Sequence, residues 1–108
     1  MVEITNQSIR ISRGDTAVIR LALSGDETPP GTRMLATLKR EASAMAPPVW
    51  EKLIAVEDGV GELGLGREET DIAAGTYWWD LRVVLPTGEV RTPFAPQRFE
   101  ILEVVGRV

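Results

Sequence analysis

The chain has 108 residues, 44% of them hydrophobic, which suits one folded domain with a real core and excludes a disordered chain. It contains no cysteine and no histidine, which excludes disulfide and thiol chemistry and removes the commonest general base and transition-metal ligand. The net charge of −4 argues against nucleic acid, whose phosphates need a basic surface.

The first eight residues, MVEITNQS, show neither the basic region nor the apolar run of a signal peptide. No segment approaches the ~20 apolar residues that cross a bilayer. The expectation is a chain made and kept in the cytoplasm unless it leaves as part of an assembly, with no membrane partner.

Residues 8–12 (Ser-Ile-Arg-Ile-Ser) alternate and predict a short strand. Arg13-Gly14-Asp15 predicts a turn. Its letters match an integrin motif, but three residues carry almost no specificity, so it is read as a turn. Residues 16–23 predict a strand with Ala17, Ile19, Leu21 and Leu23 on one face and Val18, Arg20 and Ala22 on the other. Residues 24–31 contain Gly25-Asp26 and Pro29-Pro30-Gly31 and predict a loop. Residues 32–40 alternate again, Met34, Ala36 and Leu38 against Leu35, Thr37 and Lys39.

Residues 41–48 have helix-forming content, but only about six positions precede Pro47-Pro48, and isolated helices that short are marginal. A loop or a single helical turn is predicted. Residues 49–56 predict a strand carrying Trp50, Leu53, Ile54 and Val56. Glu57-Asp58-Gly59 is a hairpin signal. Val60–Leu65 returns with Gly61, Leu63 and Leu65 facing one way, and its glycines suggest an edge or a bulge. Carboxylates favour helix N-termini, so Glu68-Glu69-Thr70-Asp71 suggests a one-turn helix within the 66–75 connection.

The stretch from Asp71 to Leu85 carries the strongest signal. A glycine, Gly75, ends a turn, and a long alternating strand follows. Tyr77, Trp79, Leu81, Val83 and Leu85 share one face; Trp78, Asp80, Arg82 and Val84 share the other. The aromatic and aliphatic face predicts packing onto a second layer. Pro86-Thr87-Gly88 ends this strand. Residues 89–92 start a last ladder that Pro93 and Pro96 interrupt, since proline donates no ladder hydrogen bond. Residues 98–104 resume it, with Phe99 and Ile101 inward and Arg98, Glu100 and Leu102 outward. Residues 105–108 read as a tail.

The sum is about seven short strands with turns every 8–12 residues, which predicts an all-β chain: an immunoglobulin-like antiparallel β-sandwich, one domain over residues 1–108. Tyr77 is expected to bond back to the backbone of the 66–75 connection, as in a tyrosine corner.

The acidic residues Asp15, Asp26, Glu57, Asp58, Glu68, Glu69 and Asp71 all fall at predicted turns. They lack the spacing of a calcium loop and are read as turn chemistry, with no metal and no cofactor implied. No nucleophile, base or carboxylate pair suggests catalysis, so the expectation is not an enzyme, with no catalytic residues. The interaction candidates are Trp78 and Val84, which would place apolar area on one outer face. Trp78 is either an exposed anchor or sugar-stacking platform, or is covered by a loop or by segment 41–48. Trp50 has a weaker phase and stays unassigned.

Two segments carry a family resemblance. Ile9 to Leu23 reads IRISRGDTAVIRLAL, a strand, Gly-Asp-Thr, then an alternating strand. Asp71 to Phe99 reads DIAAGTYWWDLRVVLPTGEVRTPFAPQRF, a glycine turn, Tyr-x-x-Asp-Leu, a Pro-Thr-Gly-Glu-Val hairpin, then a closing strand. This layout resembles the immunoglobulin-like N-terminal domain of phage baseplate upper proteins and small prophage tail-associated proteins. Gly14, Asp15, Thr16, Gly75, Tyr77, Asp80 and Leu81 occupy the matching positions. The resemblance implies a non-enzymatic structural protein of a phage or prophage virion, made in the bacterial cytoplasm and located in the tail or baseplate. Its partners would be other virion proteins, with a homo-oligomer open. The alternative is a carbohydrate-binding β-sandwich that uses Trp78, and Trp50 as a second platform, for stacking.

Overall fold

Alternation along the chain sets which residues meet between layers, and the computed structural model, which describes residues 3–4, 8–24 and 29–106, shows two stacked sheets. The elements are β1 (Glu3–Ile4), β2 (Ile9–Ser12), β3 (Ala17–Ser24), β4 (Arg33–Lys39), β5 (Pro48–Ala55), β6 (Val60–Leu65), the single turn α1 (Arg67–Thr70), β7 (Gly75–Val84), β8 (Val90–Arg91) and β9 (Gln97–Leu102). The smaller sheet runs β1-β3-β6; the larger runs β2-β9-β7-β4-β5, with β8 added to the end of β7. Residues 25–28 of the predicted 24–31 loop, with Asp26, and residues 107–108 of the predicted tail lie outside the described residues.

The expected phases hold. Tyr77, Trp79, Leu81 and Val83 of β7 face the interior, joined there by Leu85. From the larger sheet Met34, Ala36, Leu38, Ile54, Phe99 and Ile101 meet Leu21, Leu23, Leu63 and Leu65 of the smaller one. Each such aliphatic or aromatic side chain removed from water contributes about 1.5–3 kcal/mol. The Glu57-Asp58-Gly59 turn is a hairpin with Asp58 at φ 51° and Gly59 at φ 76°, the left-handed pair of a type I′ turn. Among the described residues its two arms pair only through the Glu57–Val60 bridge. Beyond it β6 crosses to β3, in register from Ala17–Leu65 to Ala22–Val60, while β5 stays with β4. As its glycines suggested, β6 lies at a sheet edge.

Two details differ from expectation. The sandwich is not wholly antiparallel, because β2 runs parallel to β9, from Ile9–Phe99 to Ser12–Leu102. The short turn after β2 hands the chain across the rim into β3 of the other sheet. β2 therefore borders β9 in the same direction while Ile9 and Ile11 pack onto the core. The last ladder is also two strands, not one interrupted strand: β8 pairs Val83 and Val84, whereas β9 pairs Gly75 through Trp79. Between them the proline-bounded segment drops Phe94 into the core, its ring 5.3 Å from that of Trp79 at 61°. This split and the unanticipated β1 together bring the strands among the described residues to nine; β1 and β8 span only two residues each.

The side between β5 and β6 is closed by side chains. Lys52 donates to the Glu69 carboxylate at 2.8 Å and to the Gly64 carbonyl at 3.0 Å. Glu69 also accepts the Gly66 N–H at 2.9 Å, capping α1. An inward-directed charge on an edge strand discourages unwanted strand pairing. The Lys52 hydrogen bond, and after it the Gly66 N–H, holds the Glu69 carboxyl below its ordinary value of 4.5. A depressed carboxylate contributes stability that is present above the unfolded value and lost as pH falls through the folded one. Stability measured by urea melts is therefore expected to decline below about pH 4.5, and Glu69→Gln should flatten that decline. An unchanged acid slope in the variant would remove Glu69 from the account.

Candidate functional site

The outward face of the larger sheet is built by cross-strand rows. Glu51, Thr37 and Asp80 stand side by side on β5, β4 and β7, as do Leu53, Leu35 and Arg82. Lys39 adjoins Trp78, which adjoins Arg98. The 41–48 segment, predicted as a loop or one helical turn, is a series of bends that folds back over this face. The Lys39 ammonium ties it down, donating to the carbonyls of Ser43 at 3.1 Å and Ala44 at 3.2 Å. Between loop and strands lies an open groove of about 490 Å³. Trp78, Leu35, Thr37, Glu51, Asp80 and Pro96 are among its walls.

Trp78 faces outward, as its phase required, and is partly buried in the groove wall. Segment 41–48 therefore borders it without turning it into core. Thr37 donates to Glu51 at 3.4 Å. Asp80 is partly buried and makes no hydrogen bond or ion pair among the described residues. The groove thus offers an aromatic wall beside the unspent carboxylate of Asp80. Val84 lies on the same face of β7 but opposite Arg33 and Val90, six residues and roughly 20 Å along the strand from Trp78. Asp80 and Arg82 intervene, so the two candidates do not form one patch.

Trp50, left unassigned, turns inward. Its ring meets Phe99 edge-on with centroids 5.9 Å apart, and its Nε1–H donates to the Glu69 carbonyl at 3.2 Å. It is thereby removed as a stacking platform. The sequence reading missed Met45, which is 92% exposed on the loop, and Leu53, 61% exposed on edge strand β5. For Leu53 the signal was present: it breaks the apolar phase shared by Trp50 and Ile54.

The acids first read as turn residues divide. Glu69 has the capping and bridging roles described above. Asp71 accepts from Arg13 Nε at 3.1 Å, and Arg13 Nη1 also reaches Glu103 at 3.5 Å. These acceptors, Asp71 foremost, raise the Arg13 guanidinium above its ordinary value. Among the described residues no group of three or more His, Cys, Asp or Glu is placed to hold a metal ion, and no helix is long and apolar enough to cross a membrane.

The positions of the resemblance are also located. Gly14, at φ 83°, with Asp15 and Thr16, makes the turn from β2 to β3; Gly75, at φ 144°, opens β7. Both are conformations that favour glycine. The Tyr77 hydroxyl donates to the Ala73 carbonyl at 2.6 Å and accepts from Arg40 at 3.2 Å, so the expected tyrosine corner is present.

No protein-family model matches the chain, and no curated protein matches it. Among solved structures it is similar to CopC from Methylosinus trichosporium OB3b, 11% identical over 100% of both chains, with a TM-score of 0.60. The fold is an immunoglobulin-like β-sandwich. Murine CRIg is also similar, 10% identical over 97% of this chain and 98% of that one, with a TM-score of 0.44. Such sandwiches host many unrelated functions, so the likeness speaks to architecture alone.

Proposed function

We propose that the chain is a non-enzymatic structural protein of a phage or prophage virion, associated with the tail or baseplate, that docks onto other virion subunits through the outer face of its larger sheet. The observation that carries the reading is the groove beside Trp78. A partly buried tryptophan in a concave site is the kind of residue that anchors an interface hot spot. The family resemblance adds the virion context, since its glycines and Tyr77 fall at the turns and strand start that such a domain requires. The tail places the chain among protein partners, away from membrane and nucleic acid.

Two measurements test this. Mass spectrometry of purified particles from the producing host should find the chain with the tail proteins; particles that contain tail proteins and lack it would reject the reading. Trp78→Ala is expected to weaken docking to the partner recovered there by about 2 kcal/mol, roughly thirtyfold in Kd. The same substitution should lower the stability read from urea melts by only about 1 kcal/mol.

One observation favours a second reading, a carbohydrate-binding module. Thr37, Glu51 and Asp80 stand beside the Trp78 ring, and stacking with hydroxyl recognition is sugar-binding chemistry. A tryptophan fluorescence shift with a polysaccharide, abolished by Trp78→Ala, would select it over protein docking.

A further inference from the structure

The outward face of the smaller sheet has a composition that the isolated chain does not explain. β3 presents Val18, Arg20 and Ala22 there, opposite Gly64, Glu62 and Val60 of β6. Val18 is 64% exposed. Gly64 has no left-handed backbone, and a Cβ built on it would meet nothing within 4 Å. Glycine weakens the interior of a strand, and where backbone and space do not demand it, it marks a close approach by something else. Arg20 and Glu62 face each other across the ladder, yet among the described residues neither makes a side-chain ion pair or hydrogen bond. The face therefore holds a knob, a hole and two unspent opposite charges.

We infer that this face docks onto the same face of a second copy of the chain, about a two-fold axis that runs along the strands between β3 and β6. Such an axis sets β3 of one copy over β6 of the other. Val18 then fills the space above the partner copy's Gly64, and the reverse contact forms by symmetry. Arg20 comes over Glu62 of the other copy, and the remaining row sets Ala22 over Val60. Stacked sheets lie about 10 Å apart, a gap that Arg and Glu side chains together span. A two-fold interface must be self-complementary in this way. The pairing order of apolar, charged and apolar rows satisfies that condition in both shape and sign. The patch is smaller than a standard interface, so the association is weak, roughly micromolar to millimolar. It uses a face remote from the Trp78 groove and does not depend on the virion reading.

Sedimentation of the full chain over a concentration series tests the inference. The wild-type chain is expected to shift from monomer toward dimer below about 1 mM. Arg20→Glu sets like charges against each other and should raise the dissociation constant roughly tenfold or more. The double swap Arg20→Glu with Glu62→Arg should restore association. Gly64→Thr is the discriminating variant: it adds a strand-favouring side chain in open space, so melting temperature should rise while dimerisation falls. A wild-type chain that stays monomeric throughout overturns the inference. So does a dimer indifferent to Arg20→Glu and Gly64→Thr, which would place the contact elsewhere.

Discussion

Trp79→Ala is expected to destabilise the fold by about 3–5 kcal/mol, the cost of deleting a large buried aromatic and leaving a cavity. Trp79 is 1% exposed, lies between β4 and β9 in register with Leu38 and Gln97, and meets Phe94 edge-on. It ties the larger sheet to the 92–96 segment within the core cluster that both sheets share. A chain of this size is stable by about 5–15 kcal/mol, so the variant should lose roughly a fifth or more of its margin and melt on the order of 15–30 °C lower. Trp78→Ala is the internal control. It removes the same side chain one residue earlier, from the opposite face, and should cost only about 1 kcal/mol. Urea unfolding of the pair measures the difference. Similar losses in the two variants, or a Trp79→Ala loss under about 1 kcal/mol, would mean that the strand phase is inverted.

Gly61→Val is expected to cost about 1–3 kcal/mol or more through overpacking. Gly61 faces inward on β6 opposite Leu21. A Cβ there would overlap the Met34 methyl and approach Ile54 Cγ2 at 2.9 Å, with the Ala55 carbonyl oxygen at 3.4 Å. Met34 is flexible, but it is fully buried in a close-packed interior and has no space to retreat into. Ile54 is branched and stiff. Gly64, three positions on and facing solvent, has nothing to collide with. Gly64→Val should therefore be neutral or stabilising for the isolated chain. Thermal melts of the two valine variants read this contrast directly; equal losses would show that strand conformation, not core space, dictates both glycines.

Much of the fold was legible because its signals are local. The phase of β7 follows from alternation within ten residues, and Asp58-Gly59 specifies its own turn geometry. The Tyr77 corner needs only a hydroxyl four residues from the carbonyl it binds. The groove was legible in Trp78 and in the 41–48 segment, which stood as one alternative cover for it. Its remaining walls come from three strands and Pro96, and only sheet order places Glu51, Thr37 and Asp80 in one row. Trp50 shows the same limit: its strand phase was weak, and its inward orientation is settled by Phe99 and by a carbonyl of α1, 49 and 19 residues away in sequence.

The amino-acid order alone determined that this chain is a set of short alternating strands with one apolar face each, because period-two burial is a property of every strand separately. Which strands neighbour one another was decided only by the packed molecule. The parallel β2–β9 pair, the passage of β6 to β3, the Lys52–Glu69 closure and the groove at Trp78 all join residues far apart along the chain. Their energies exist only once two sheets have closed over a common core.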